Sequence, residues 1–469
     1  MQQTRHNGAD EMSSRVTMTL RPMLLLSASL LAMAAPAHGQ EAASPEAMRA
    51  EIDALKAQLR ALEARLDTVT QQQAATVAPA PAETAAAAPA PAKAEKATEM
   101  AWKGGPEISH PDGWRFKVRG RLQIDAGTVS SPRSFSDTGL GFSNEIRRVR
   151  LGAEGDIPGG FGYRVEAEFA DNEVEMTDAY LTYGKGPFGV TLGQHNNFQS
   201  LDELTSDLFT SFMERAAFTD AFNFERRVGL SAGYREGAFM ANVGVFTDDI
   251  SALADDGNNS RSIDARAVWM PKFGETQLHF GASGHLRDFG DLAGARYRQR
   301  PFLHSTDVRF IDTGALGATA ERSYGLELAA VHGPFHFAGE THWLQSELPG
   351  AADPTFFGGY AELGWFITGE SRGYRNGAWD RTRPLRSIAD GGMGALQLNL
   401  RYDYLDLIDA GIVGGKQNGY LASLIWTPIA YMRLGLNYGH LVYDQARALP
   451  DGGRDYSVDS FGVRAEIDF

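Results

Sequence analysis

The last fourteen residues, Tyr456 to Phe469, alternate in character along the chain. Phe461, Val463, Ala465, Ile467 and Phe469 share one parity, and Ser460, Gly462, Arg464, Glu466 and Asp468 take the other. Successive side chains of a strand point to opposite faces, so this segment is a ribbon with one oily face and one wet face. A soluble sandwich gives the same alternation. Here the pattern recurs along most of the chain behind an export-type N-terminus, and that combination points to a membrane barrel. No apolar run reaches the roughly 20 residues that a spanning helix needs.

The apolar run Met23 to Ala35 follows Arg15 and Arg21. Ala37 and Gly39 put small residues three and one before a cut ahead of Gln40, so 1–39 reads as a signal peptide. Met12 or Met18 is an alternative start. With Cys 0, the chain fits an exported bacterial protein without proving one. Next, Met48, Ile52, Leu55, Leu59, Leu62, Leu66 and Val69 follow a four-three spacing. Ile52, Leu59 and Leu66 take the a positions of a heptad, which predicts a periplasmic coiled-coil helix within 40–73. A lone amphipathic helix is the plainer reading. Pro79-Ala-Pro81 and Pro89-Ala-Pro91 lie in an alanine-rich stretch that cannot build a core, so 74–113 reads as a linker. The barrel domain is expected over 114–469.

From Arg115 on, alternating segments are separated by turn signals such as Pro158-Gly-Gly160, Glu236-Gly237 and His332-Gly-Pro334. They give sixteen strands. The expected fold is an all-β, sixteen-stranded antiparallel transmembrane β-barrel preceded by a short N-terminal coiled-coil helix. Expected ranges include 115–126, 145–157, 394–405 and 418–427. Connections after even strands are short, apart from 369–393, and those after odd strands are mostly long. Short turns belong in the periplasm and long loops outside, which leaves both barrel ends periplasmic. The strands must close, because lipid offers a bare edge no hydrogen-bond partner. Tyr163, Tyr183, Trp269, Trp343, Trp365, Trp426 and Tyr438 are placed for interfacial girdles.

Sixteen strands predict a water-filled lumen. The loop after the fifth strand holds a helix-like stretch, 201–215, expected to fold inward as a constriction. Its candidate residues are Asp202, Glu203, Asp207, Phe212, Glu214 and Arg215. The long basic segment 369–393 is expected to enter from the periplasmic end. The inward parity of the first strand carries Arg119 and Arg121; the second adds Arg148 and Arg150 with Arg147 beside them, and the sixth opens on Arg226-Arg227. Arginine stays charged and offers a planar fork to phosphate or carboxylate oxygens, so these seven form a candidate anion pathway. Arginines that pair with nearby acids are the ordinary alternative, and Arg164, Glu166 and Glu168 on the third strand illustrate it.

His279, His285, His336 and His342 share an inward parity, but alternation produces such spacing by itself, so no metal or cofactor is expected. No nucleophile motif stands out, and no enzyme activity is expected. A formal charge of -15 argues against nucleic acid as a partner.

Gly120-Arg-Leu-Gln-Ile-Asp125, Ile146-Arg-Arg-Val-Arg150, Asp178-Ala-Tyr-Leu-Thr-Tyr183, Phe212-Met-Glu-Arg215, Arg226-Arg-Val-Gly229 and Trp365-Phe-Ile-Thr-Gly-Glu-Ser-Arg372 occur in order. Together they resemble the phosphate-selective porin O and P family over 115–469. The resemblance implies a homotrimeric sixteen-stranded outer-membrane channel, an arginine ladder in the lumen and inward-folded loops. Partners would be small anions such as phosphate, with outer-membrane lipid and lipopolysaccharide around the barrel. One departure stands out: the family's lysines on and near the constriction loop are replaced by Gln194-His-Asn-Asn-Phe198, Asp202, Glu203 and Asp207. Three functions remain in play: an anion-preferring porin, a general or other-solute porin, and a structural barrel that anchors a periplasmic coiled coil.

Overall fold

The computed structural model describes residues 97–469 apart from 134, 171–172, 255–259 and 291–293, together with the isolated residues 57 and 60. The expected signal peptide, coiled coil and spacer up to residue 96 lie outside the described residues, save Ala57 and Arg60.

Two short strands come first, β1 (Glu99–Trp102) and β2 (Pro106–Ser109). The first half of the barrel wall is β3 (Arg115–Val129), β4 (Gly141–Ile157), β5 (Phe161–Glu168), β6 (Glu175–Lys185), β7 (Phe188–Asn196), β8 (Arg226–Glu236), β9 (Phe239–Phe246) and β10 (Arg261–Trp269). A two-residue strand, β11 (Lys272–Phe273), precedes β12 (Thr276–Asp288). A small hairpin of β13 (Arg298–Gln299) and β14 (Ile311–Asp312) then interrupts the wall, which resumes with β15 (Ala320–His332), β16 (Phe335–Glu347) and β17 (Thr355–Phe366). A second hairpin, β18 (Gly373–Arg375) and β19 (Ala378–Asp380), precedes β20 (Ala395–Asp409), β21 (Ile412–Ile429), β22 (Met432–Asp444) and β23 (Tyr456–Asp468). Each wall strand pairs antiparallel with the next, and β23 pairs with β3. The sixteen wall strands therefore close into a barrel with no open edge for lipid to meet.

The outward faces are apolar, as alternation predicts. Leu122, Ile124, Leu151, Val165, Leu181, Leu192 and Phe461 are exposed on the barrel's outside. Two aromatic bands flank them. Near the short turns lie Phe161 against Tyr183, Trp269 stacked on Phe280, and Phe335 stacked on Trp365. Toward the long loops lie Tyr324, Trp343, Phe357 and Tyr404, each ring meeting the next.

Three features depart from the sequence reading. The boundary expected at 113/114 does not hold, because β2 pairs with β3 through Glu107↔Lys117 and Ser109↔Arg115. Pairing of β23 stops opposite Arg121, so the lower edge of β3 would be bare, and the β1–β2 hairpin covers it. Strands β20 and β21 are longer than expected, 15 and 18 residues, joined at Ala410-Gly411. Their polar ends (Asp406, Lys416, Asn418) hid them from an alternation search, since an outward face beyond the lipid need not be apolar. Finally, much of the lumen is packed rather than water-filled. Phe212, Phe218, Phe222, Phe302, Leu303, Phe310 and Trp379 form a buried cluster inside the barrel.

Candidate functional site

The packed half of the lumen is built by three insertions. The first is the loop 197–225, with short helices Leu201–Leu204 and Ala217–Ala221. Ser200 sits at φ 67 and its hydroxyl accepts from the N–H groups of Asp202 and Glu203, which opens the first helix. Carboxylates on the opposite wall then receive the loop's free N–H groups. Glu340 accepts from Leu201 N (2.9 Å) and Asp202 N (2.8 Å), and Asp403 accepts from Ala217 N (2.9 Å). Arg401 reaches both Asp202 (3.3 Å) and Glu362 (2.7 Å). The buried charges of Asp202, Glu362 and Arg401 are tolerable because they pair with one another.

The second insertion is the loop 289–319, where Tyr297 donates to Glu321 (2.6 Å) and Phe302 packs beside Phe212. The third is the 367–394 segment. Trp379 is buried, and its backbone N–H donates to Thr205 Oγ1 of the first loop (3.2 Å). Arg372 donates to Phe209 O (2.9 Å) and Ser211 Oγ and lies over the Trp379 ring. Burial pushes Arg372 down to about 10, so it remains charged at neutral pH. Each insertion is thus pinned to another insertion or to the β15–β23 wall.

What stays open lies against the other wall, β3 to β8, where the predicted arginines are. A β-bulge sharpens their arrangement. Gln123 pairs with Arg148 but Ile124 pairs with Ile146, so Arg147 is an extra residue. The bulge resets the parity, and consecutive Arg147 and Arg148 both face the lumen. A cavity of about 450 Å³ runs along this wall. Its guanidinium groups are Arg119, Arg121, Arg148, Arg150, Arg164, Arg215 and Arg226, and its carboxylates are Asp178 and Asp207. A second cavity of about 150 Å³ shares Arg148 and Arg215 with it and adds Arg147, Glu203, Glu214, Asp220, Arg300 and His304. The second cavity opens among residues of the 289–319 loop.

The loop narrows the route where the two cavities meet. Asp207 is the central group: its carboxylate contacts Arg121 on β3 and Arg148 on β4, the latter at 2.6 Å. Burial works against its charge, yet the two guanidinium groups hold the Asp207 carboxyl well below the usual carboxylate range. Glu214 meets Arg147 (3.4 Å) and Arg464 (3.1 Å) and is likewise held low in spite of burial. Glu203 differs: burial raises it, and among the described residues only Arg215 lies within ion-pair reach, at 3.4 Å.

A model of the phosphate-selective porin O and P family matches residues 116–469. The chain belongs to that family. It is an outer-membrane porin. An uncharacterized protein of Caulobacter vibrioides is 50% identical over 491 residues, covering 98% of this chain and 99% of that one. Porin O of Pseudomonas aeruginosa is 25% identical over 348 residues, 66% of this chain and 77% of its own length. Among solved structures, the anion-selective porin from Comamonas acidovorans aligns at 12% identity with a TM-score of 0.49, over 76% of this chain and 100% of that one. OmpT of Vibrio cholerae aligns at 10% with a TM-score of 0.49, over 76% and 98%.

The porin's lumen brings some of the predicted residues together and separates others. Arg119, Arg121, Arg148, Arg150, Arg215, Arg226 and Asp207 share the larger cavity, and Arg147, Glu203 and Glu214 line the smaller. Arg227 is fully buried beside Glu225 (3.2 Å) and lines neither. Asp202 turns to Arg401, and Phe212 packs under the same guanidinium, so both serve loop docking. Of the acids that tie the ladder, sequence reasoning named Glu168 but missed Glu154 and Asp178. Glu154 holds Arg119 (2.6 Å) and Arg164 (2.7 Å), Asp178 holds Arg226 (2.7 Å), and Glu168 holds Arg150 (2.8 Å). Their inward parity was the available signal, but which acid meets which arginine depends on strand register.

Proposed function

We propose that the porin gives passive, anion-preferring diffusion of small anions, phosphate or polyphosphate among them, along the β3–β8 wall. The observation that carries this is the lining of the larger cavity, seven arginines facing two aspartates. Several guanidinium groups in sequence let an anion move from one to the next without a single site that holds it too long. The acids behind the arginines reduce the net charge, which favours weak general anion preference over tight phosphate selection. Glu203, Asp207 and Glu214 at the narrowing support the second reading, a general porin without strong selectivity.

The family's trimeric state extends to this chain under the same proposal. So does the plan of a cleaved 1–39 signal peptide, a periplasmic coiled coil at 40–73 and a Pro/Ala-rich linker that meets the barrel near residue 99. Bilayer recordings in a salt gradient test the function. Wild-type protein should show an anion-selective reversal potential, and Arg148→Ala should lower it. Arg227→Ala, which lies off the cavity, should leave it unchanged. A wild-type reversal potential near zero in chloride and phosphate gradients would overturn the anion reading in favour of the general porin.

A further inference from the structure

The larger cavity has a second lining that charge does not explain. Beside its guanidinium groups, β6, β7 and the loop after them present Tyr180, His195, Phe198 and Leu204 to the same space. Tyr180, Phe198 and Leu204 are only half-buried, so each keeps accessible apolar surface in the lumen. Strand register makes room for the rings. Tyr180 pairs with Gly193, which pairs with Gly229. Gly193 sits at φ 124, and a Cβ there would run into Ala179 O and lie 2.8 Å from Tyr180 Cα. The His195 ring then lies 6.1 Å from Tyr180, 6.1 Å from Phe198 and 5.1 Å from Phe246. Its two nitrogens are engaged, Nδ1 with Gly193 O (2.8 Å) and Nε2 with Ser231 Oγ (2.9 Å), which fixes the ring among its neighbours. Arg164 joins the two linings, since its guanidinium carbon lies 5.8 Å from the Tyr180 ring centre. The smaller cavity repeats the pairing, with Phe224, Phe302 and Leu303 beside Arg147, Arg148 and Arg300.

Charge alone separates one anion from another weakly here. Each guanidinium group of the larger cavity already has a carboxylate within ion-pair reach. A small inorganic anion would give up hydration for forks that are already shared. It gains nothing from the rings, whose faces carry the negative part of the aromatic quadrupole. An organic anion with a flat apolar group gains twice. Its carboxylate takes guanidinium N–H groups that face the cavity, and its ring leaves water against Tyr180 and Phe198. The cavity's volume of about 450 Å³ lies within the roughly 300–1,000 Å³ of pockets that take organic ligands.

We propose that the preferred anions of this lumen are aromatic monocarboxylates of the benzoate class. The carboxylate runs along the arginines of β3 to β5, and the ring runs along Tyr180 and Phe198. This rests on the anion reading above and names its substrate class.

The test uses full-length protein in planar bilayers, in two arms. A potassium chloride gradient reads anion against cation selectivity. Sodium benzoate set against sodium acetate across the membrane reads the permeability ratio of two anions of equal charge. Acetate is the smaller, so a lumen that only sieves and attracts charge would favour it. Wild-type protein should favour benzoate. Tyr180→Ala and Phe198→Ala should each lower the benzoate-to-acetate ratio by about two- to ten-fold, the range for losing one aromatic contact, and Tyr180→Phe should keep the ratio high. Migration as a compact barrel in unheated detergent gels shows that each variant is folded. Anion selectivity in the first arm with a benzoate ratio at or below one overturns the proposal and leaves the anion reading standing. So does a ratio above one that neither alanine variant lowers. A wild-type reversal potential near zero in the first arm overturns both.

Discussion

Replacing Asp207 by Asn should turn its place in the lumen, a carboxylate set between two guanidinium groups, into a more cationic site. In the native protein the carboxylate bridges Arg121 and Arg148, in effect a tethered anion in the place a permeating anion would use. A unit charge about 5 Å from an ion changes its energy by about 0.8 kcal/mol at the dielectric constant of bulk water, and by about 3 kcal/mol at an effective constant near 20. Since 1.4 kcal/mol is ten-fold, anion permeation should gain between about four-fold and about a hundred-fold and cation permeation should lose a like factor, so the anion-to-cation permeability ratio should rise by about fifteen-fold or more. The loop itself should stay in place. Its anchors on the far wall, Glu340, Asp403 and the Arg401–Asp202 pair, are untouched. Loss of the carboxylate leaves Arg148 without an ion-pair partner among the described residues and Arg121 with Glu166 at 3.5 Å, a cost of at most about 3–5 kcal/mol in a sealed interior. Here they line a cavity, so water or a bound anion relieves it, and thermal stability of the variant should rise with added phosphate. Reversal potentials in a potassium chloride gradient, with phosphate substituted on one side, measure the first effect. A ratio that is unchanged, or that moves toward cations, would refute the argument that Asp207 competes with the permeant anion.

Acidification should act through Glu203 first. Burial raises its pKa, whereas Asp207 and Glu214 are held low by arginines. As pH falls toward the ordinary carboxylate range, Glu203 loses its charge while the other two keep theirs, so anion preference should increase. Glu203→Gln should show that higher preference already at neutral pH and lose the pH dependence. For stability the signs are opposite. Asp207 and Glu214 contribute above the unfolded carboxylate pKa and lose the contribution only as pH falls through their lower folded values. Glu203 weighs against the fold above its raised value and ceases to do so below the unfolded one. Deleting the β18–β19 hairpin removes Trp379 and its link to Thr205, and single-channel conductance should increase; an unchanged conductance would mean the hairpin does not narrow the path. Gly325→Ala should destabilise the barrel by about 1–3 kcal/mol in urea titrations, because the new methyl would lie 2.0 Å from the His342 ring on the paired strand.

The barrel was legible in the chain because lipid imposes its pattern residue by residue. An outward side chain in hydrocarbon must be apolar and its neighbour, facing the lumen, is released from that rule, so Phe461 to Phe469 and segments like it announce themselves. The inward arginines of β3 and β4 and the loop carrying Asp207 were visible for the same reason. Their partners were not. Arg401 reaching Asp202 spans 199 residues, and Arg464 reaching Asp125 spans 339. Such contacts depend on register, on the bulge that turns Arg147 and Arg148 to one side, and on how three insertions share one interior. No local pattern encodes which guanidinium meets which carboxylate. Nor does it encode that Arg227 is buried beside Glu225 and lines neither cavity. Alternation is a one-dimensional consequence of the solvent on each face, whereas pairing across the barrel exists only once the sheet has closed.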